Sequence, residues 1–171
     1  TAKSPNKSIV ARLGGDEFAI LIDDAKDLPS TVKAAERLIE SEFVLHYGGT
    51  LYIDEGKPLP GLVDRTVANL REIAPTVYFN VPKGFEEIAN AMESDAKLRD
   101  SLFARVNMFF FAGAGLSQPV WDKLDRLAEA TCGERIRMLT GLGMTETAPF
   151  AVCANAGEVK SGHIGLPAPG M

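Results

Sequence analysis

Between residues 140 and 149 the chain reads Thr140-Gly141-Leu142-Gly143-Met144-Thr145-Glu146-Thr147-Ala148-Pro149, with two glycines, three threonines and one carboxylate in ten positions. Glycines let backbone N–H groups converge on an anion, the Thr145 hydroxyl adds a donor, and Glu146 can hold the divalent cation that travels with a nucleoside triphosphate. Ordinary turn chemistry also accounts for such a segment as a plain strand-to-loop turn, so composition leaves both readings open. A second glycine-rich stretch, Gly113-Ala114-Gly115, follows an apolar run and suits either a ligand contact or close backbone packing at a strand end. A third, Gly14-Gly15-Asp16-Glu17-Phe18, separates two β-prone runs, where Gly-Gly before Asp is hairpin chemistry. Asp16 and Glu17 then read as polar residues of an exposed hairpin tip. Asn80 and Pro82 are candidates for a pocket rim at a strand end, and Lys83 and Arg137 for phosphate partners.

The elements that must position these residues follow from punctuation and periodicity. Residues 9–13 and 18–22 predict two antiparallel strands, and Ser30 can cap a helix from about Thr31 to His46. Residues 50–53 predict a strand before a Gly/Pro-rich loop. The spacing of Leu62, Val63, Val67, Leu70 and Ile73 predicts a helix, and Pro75 stops it. Strands are expected at 76–81, 106–111 and 135–139, with 151–153 a further one. Helices are expected at 84–93, 96–103 and 120–130, the last with Trp121, Leu124 and Leu127 facing the core. Strands alternating with helices of this length predict an α/β fold: an N-terminal β-hairpin plus helix joined to a largely parallel βαβ sheet covered by helices. Residues 1–8 read as a disordered lead-in, 9–42 as the hairpin and helix segment, and the whole as one compact folding unit.

Composition sets limits on function. The 171 residues are 46% hydrophobic and 24% charged, enough to bury a sizeable core. Eighteen Lys and Arg against 23 Asp and Glu give a net charge of −5, without a block of like charge that would serve a nucleic-acid or membrane-surface partner. The longest apolar stretch, around Met108 to Leu116, falls far short of the roughly 20 residues of a bilayer span, and no secretory leader is evident. A cytoplasmic location is the expectation. Cys132 and Cys153 stand 21 residues apart without a CxxC pair, which disfavours a disulfide or a zinc site shared with His46 and His163.

Gly141-Leu142-Gly143-Met144-Thr145-Glu146-Thr147 resembles the Y-G-x-T-E motif of the AMP-forming acyl-CoA and aryl-CoA ligases, with Leu142 where that family usually has an aromatic residue. The resemblance runs in order through Gly48 to Asp54, Pro75 to Pro82, Phe111 to Leu116 and Gly162 to Gly170. Over about residues 43–171 it is similar to the feruloyl-CoA synthetase branch, and four ordered motifs make it specific where one would be weak. The resemblance implies a partial large domain of an adenylate-forming ligase. It implies that Gly113, Ala114 and Gly115 line the adenine and acyl pocket and that Gly141 and Gly143 wrap the AMP moiety. It also implies that Thr145 binds phosphate and Glu146 binds magnesium. In such enzymes ATP and a carboxylate give an acyl-adenylate, and the acyl group then passes to coenzyme A.

The family's Gly/Ser/Thr-rich phosphate loop and its C-terminal catalytic lysine have no counterpart in the sequence. The expectation is therefore a chimeric or truncated fragment that binds ATP or AMP with magnesium weakly, requires no cofactor and does not turn over. An aromatic acid is the other small-molecule partner, and self-association is expected where apolar surface is exposed. Residues 9–41 resemble something else, the signature hairpin of the GGDEF diguanylate cyclases, in which Gly14, Gly15, Asp16, Glu17 and Phe18 form the motif. That match implies a GTP or c-di-GMP module in vestigial form. A non-enzymatic recombined or designed fold is the alternative that spans both segments.

Overall fold

The computed structural model describes residues 9–14, 17–21, 50, 52, 54–144, 148–154 and 160–167. The predicted helix over 31–46 lies outside these residues, as does the lead-in. The described elements run β1 (Ile9–Gly14), β2 (Glu17–Leu21), α1 (Val63–Leu70), β3 (Val77–Asn80), α2 (Pro82–Ser94), α3 (Ala96–Phe103) and β4 (Met108–Phe111). They continue with α4 (Gln118–Cys132), β5 (Arg137–Met144), β6 (Ala148–Ala154) and β7 (Leu166–Pro167). Thr50 and Tyr52 belong to no strand.

Proline and side-chain caps set the helix starts. Val81 is extended and Pro82 opens α2, where a missing N–H and a fixed φ cost nothing. Asp95 ends α2 and caps α3, its carboxylate accepting from Leu98 N at 3.0 Å. Arg71, just past α1, donates to the same carboxylate at 2.6 Å, and Arg99 donates to the terminal carbonyls Met92 O and Glu93 O of α2. One acidic residue and two arginines thereby fix the corner where three helices meet.

The main sheet has the order β3-β4-β5-β6-β7, and it is mixed. β3 with β4 and β4 with β5 are parallel; β5 with β6 and β6 with β7 are antiparallel, as is the separate pair β1 with β2. Three of the five pairings are therefore antiparallel, and the largely parallel sheet expected from the βαβ rhythm is not what forms. The reason lies in the connections. A parallel return needs a crossover of a dozen or more residues, which α2 with α3 and then α4 supply, whereas only residues 145–147 separate β5 from β6. The expected N-terminal β-hairpin joined to that sheet is corrected as well. β1 and β2 form their own two-stranded sheet, with a register irregularity between Arg12 and Gly14 in place of a regular two-residue hairpin ladder.

The core lies between the sheet and α1 to α4. On the helix-facing side Tyr78, Phe109 and Met138 share a row, joined by Phe85, Ile88, Met92, Leu98, Leu102, Trp121 and Leu124. Phe109 meets Tyr78, Phe85 and Phe103 edge-on at 6.3, 5.4 and 6.2 Å between ring centroids, a geometry aromatic rings prefer. By strand alternation Val77, Met108 and Arg137 share one row on the opposite side, with Phe79, Phe110 and Leu139 in another. Those apolar residues are buried too, and the Phe79 and Phe110 rings stand 4.7 Å apart.

Candidate functional site

Asn80, Phe111 and Thr140 stand in one row across β3, β4 and β5, so β3 and β4 end level with each other while β5 runs on to Met144. Open sheets of this kind place ligands beyond such ends. Ala112, Gly113, Ala114 and Gly115 leave β4 as an exposed stretch before buried Leu116, and Gly113 has a φ of 86°, which an L side chain rarely adopts. Beside it, β5 continues through half-buried Gly141 and exposed Leu142 and Gly143. The β4–β5 pairing thus starts the stretch that holds Gly113, Ala114 and Gly115 beside Thr140, the residue before Gly141. Residues 141–144 are themselves strand, with Gly141 paired to Cys153 and a register shift between Leu142 and Met144. Part of the expected loop is strand instead, because antiparallel β6 supplies partners for this backbone.

Thr145 and Glu146 lie outside the described residues, as do Gly15 and Asp16. Gly14 closes β1, and Glu17 and Phe18 open β2. Among the described residues no group of three His, Cys, Asp or Glu could hold a metal ion, so magnesium at Glu146 rests on the resemblance alone. Cys132 is exposed and Cys153 is buried.

The structure also places three other candidates. Asn80 is buried instead of forming a rim: it donates through Nδ2 to the Tyr78 hydroxyl at 2.5 Å and accepts from Val81 N at 2.8 Å. Arg137 opens β5, at the end of the strand opposite the glycines Gly141 and Gly143, and its Nη1 is buried without a hydrogen-bond partner among the described residues. Exposed Lys83 pairs with Glu86 at 2.9 Å and Glu87 at 2.7 Å, and these bonds raise its pKa.

Two features carry no obvious sequence signal. Asp54 is buried and accepts from Thr66 Oγ1 and from Asn69 Nδ2, the latter at 2.6 Å. Its charge adds to the burial that drives the Tyr78 phenol well above its ordinary pKa, against the Asn80 hydrogen bond. Thr140 is buried within β5, level with the end of β4, and donates from Oγ1 to Phe111 O at 2.8 Å, joining the two glycine stretches at their roots. A hydroxyl immediately before a glycine is the only hint the sequence offers.

No curated protein matches the chain. Among solved structures, a benzoate CoA ligase from Burkholderia xenovorans LB400 is 27% identical with a TM-score of 0.53, over 75% of this chain and 24% of that one. A malonyl-CoA ligase ternary product complex with methylmalonyl-CoA and AMP bound has a TM-score of 0.56 at 19% identity, over 95% of this chain and 37% of that one. The anthranilate CoA ligase AuaEII in complex with anthranoyl-AMP has a TM-score of 0.51 at 19% identity, over 75% of this chain and 23% of that one. The chain therefore spans about a quarter to a third of the length of these enzymes. Neither the family model nor these structures support the GGDEF assignment or a feruloyl-specific one. No described helix is long and apolar enough to cross a membrane. The family model of AMP-binding enzymes matches residues 33–171, and the chain belongs to that family.

Proposed function

We propose that this chain forms one wall of the adenylate site of an aryl-CoA ligase, with Gly113 to Gly115 and Gly141 to Gly143 against the AMP moiety. The observation that carries the reading is the pairing of β4 with β5. It starts the stretches Gly113 to Gly115 and Gly141 to Gly143 from neighbouring interior strands of the sheet, where backbone can approach a nucleotide without Cβ atoms in the way. Thr145 is the phosphate donor and Glu146 the magnesium ligand in this reading. A bound magnesium would neutralise charge on the phosphoryl oxygens.

In the reaction a carboxylate oxygen attacks the α-phosphorus of ATP and pyrophosphate leaves; the thiol of coenzyme A then displaces AMP from the acyl carbon. The acid is aromatic, of the benzoate or feruloyl kind. The benzoate CoA ligase likeness, at 27% identity, supports that class.

Titration of the isotope-labelled chain with AMP, to a concentration on the order of millimolar, tests the site. The amide signals of Gly113, Gly115, Gly141 and Gly143 are expected to move. If they stay still while the protein is folded, the nucleotide reading is wrong. A nonhydrolysable aroyl-adenylate analogue is expected to bind about tenfold more tightly than its acetyl counterpart; equal affinities would remove the aromatic assignment.

A further inference from the structure

The exposed stretch Ala112 to Gly115 is held at both of its ends by side chains from two distant parts of the chain. At the start, buried Thr140 donates from Oγ1 to Phe111 O at 2.8 Å. At the far end, Ser161 donates from Oγ to Leu116 O at 2.6 Å, and its backbone N–H donates to Gln118 Oε1 at 3.1 Å. Gln118 is itself oriented, because its Nε2 donates to Asp122 Oδ1 at 2.7 Å within α4.

Ser161 is presented by a tight turn. His163 N donates to Lys160 O at 3.0 Å, and Gly162 takes a φ of 87°, the value a type II turn demands at its third residue. Leu116, whose carbonyl Ser161 engages, is buried at 1% exposure, so the clasp joins a surface turn to a fixed point of the core.

We infer that Thr140 and Ser161 are positioning residues that suspend the 112–115 backbone between two pins and so preset its shape for a nucleotide. The inference rests on the adenylate-site reading for the ligand and on geometry alone for the pins. Neither residue touches the ligand in this account. Thr140 acts through Phe111 O and Ser161 through Leu116 O, with Gln118 orienting the serine. Holding a loop in its bound shape lowers the entropy lost on binding, which is how such residues raise affinity without a contact.

The test uses the 171-residue chain with Thr140→Val and Ser161→Ala, and with Thr140→Ser and Ser161→Thr as conservative rescues. Without ligand, amide hydrogen exchange over residues 113–116 is expected to speed up about tenfold in each disruptive variant and to return toward wild type in each rescue. With AMP, the dissociation constant is expected to rise about tenfold in the disruptive variants alone. Exchange at 113–116 unchanged in folded Thr140→Val and Ser161→Ala overturns the pins. AMP affinity unchanged in those variants, when wild type binds, overturns their positioning role. A wild type silent to AMP overturns the adenylate reading and leaves the exchange measurement to decide the pins. Should Thr140→Val fail to fold, exposed-turn Ser161→Ala decides the matter by the same two readouts.

Discussion

At the scale of single residues, two glycines in one loop do different work. Gly113 has a positive φ, so a methyl group there meets backbone strain before it meets any ligand. Gly115 has an ordinary backbone, and a Cβ placed on it meets nothing within 4 Å. The pair separates folding from binding. Gly113→Ala is expected to lower stability by about 1 kcal/mol, measured by urea unfolding. Gly115→Ala is expected to keep or slightly raise stability, by up to about 1 kcal/mol through the less flexible unfolded chain, while weakening AMP binding where its methyl enters the nucleotide's space. An alanine at 115 that leaves AMP affinity intact would show that this face of the loop is turned away from the ligand. The sequence makes the glycines visible but not this division, since φ and open space depend on what β5 and the 160–163 turn impose from outside the loop.

At the scale of elements, the corner of α1, α2 and α3 depends on Asp95. Its carboxyl pKa is lowered, first by the hydrogen bond from Leu98 N–H and then, against the cost of burial, by the Arg71 guanidinium. A lowered folded pKa means stabilisation that is present above about pH 4 and lost as pH falls through the folded value. Asp95→Ala should cost about 1 kcal/mol at pH 7, the usual loss of an N-cap. Asp95→Asn retains a capping oxygen but neither the charge nor the titration. Wild type should therefore exceed it at pH 7, and the urea midpoints of the two should converge toward pH 3; a gap that stays constant with pH would refute the assignment. The corner also shows what the sequence makes legible. Pro75, Pro82 and Pro119 punctuate the α2 to α4 region so plainly that helices and strands between residues 63 and 139 fall within a few positions of expectation. The second half of β5 escapes the reading because glycines at 141 and 143 look like loop residues. Only pairing with β6, a tertiary fact, makes them strand.

At the scale of the whole molecule, the strands β4 and β5 that carry the glycine stretches are only as fixed as the core behind them. Phe109 sits centrally in that core: its ring meets side chains from β3, α2 and α3, and its strand ends two residues later at the 112–115 loop. Deleting a buried phenylalanine side chain costs about 3–5 kcal/mol, close to the full stability of many domains of this size. Phe109→Ala is therefore expected to abolish cooperative unfolding and the AMP response together. Phe109→Leu, which keeps most of the volume, is expected to keep a cooperative transition at a lower urea midpoint. Because the substituted side chain would still face the helices, the pins at Thr140 and Ser161 remain in place and AMP should bind with nearly unchanged affinity. If Phe109→Leu melted cooperatively yet lost AMP binding, the site would depend on the helix-facing core directly. The separation drawn above, between a packed sheet that supplies rigidity and two pinned loops that supply the contacts, would then fail.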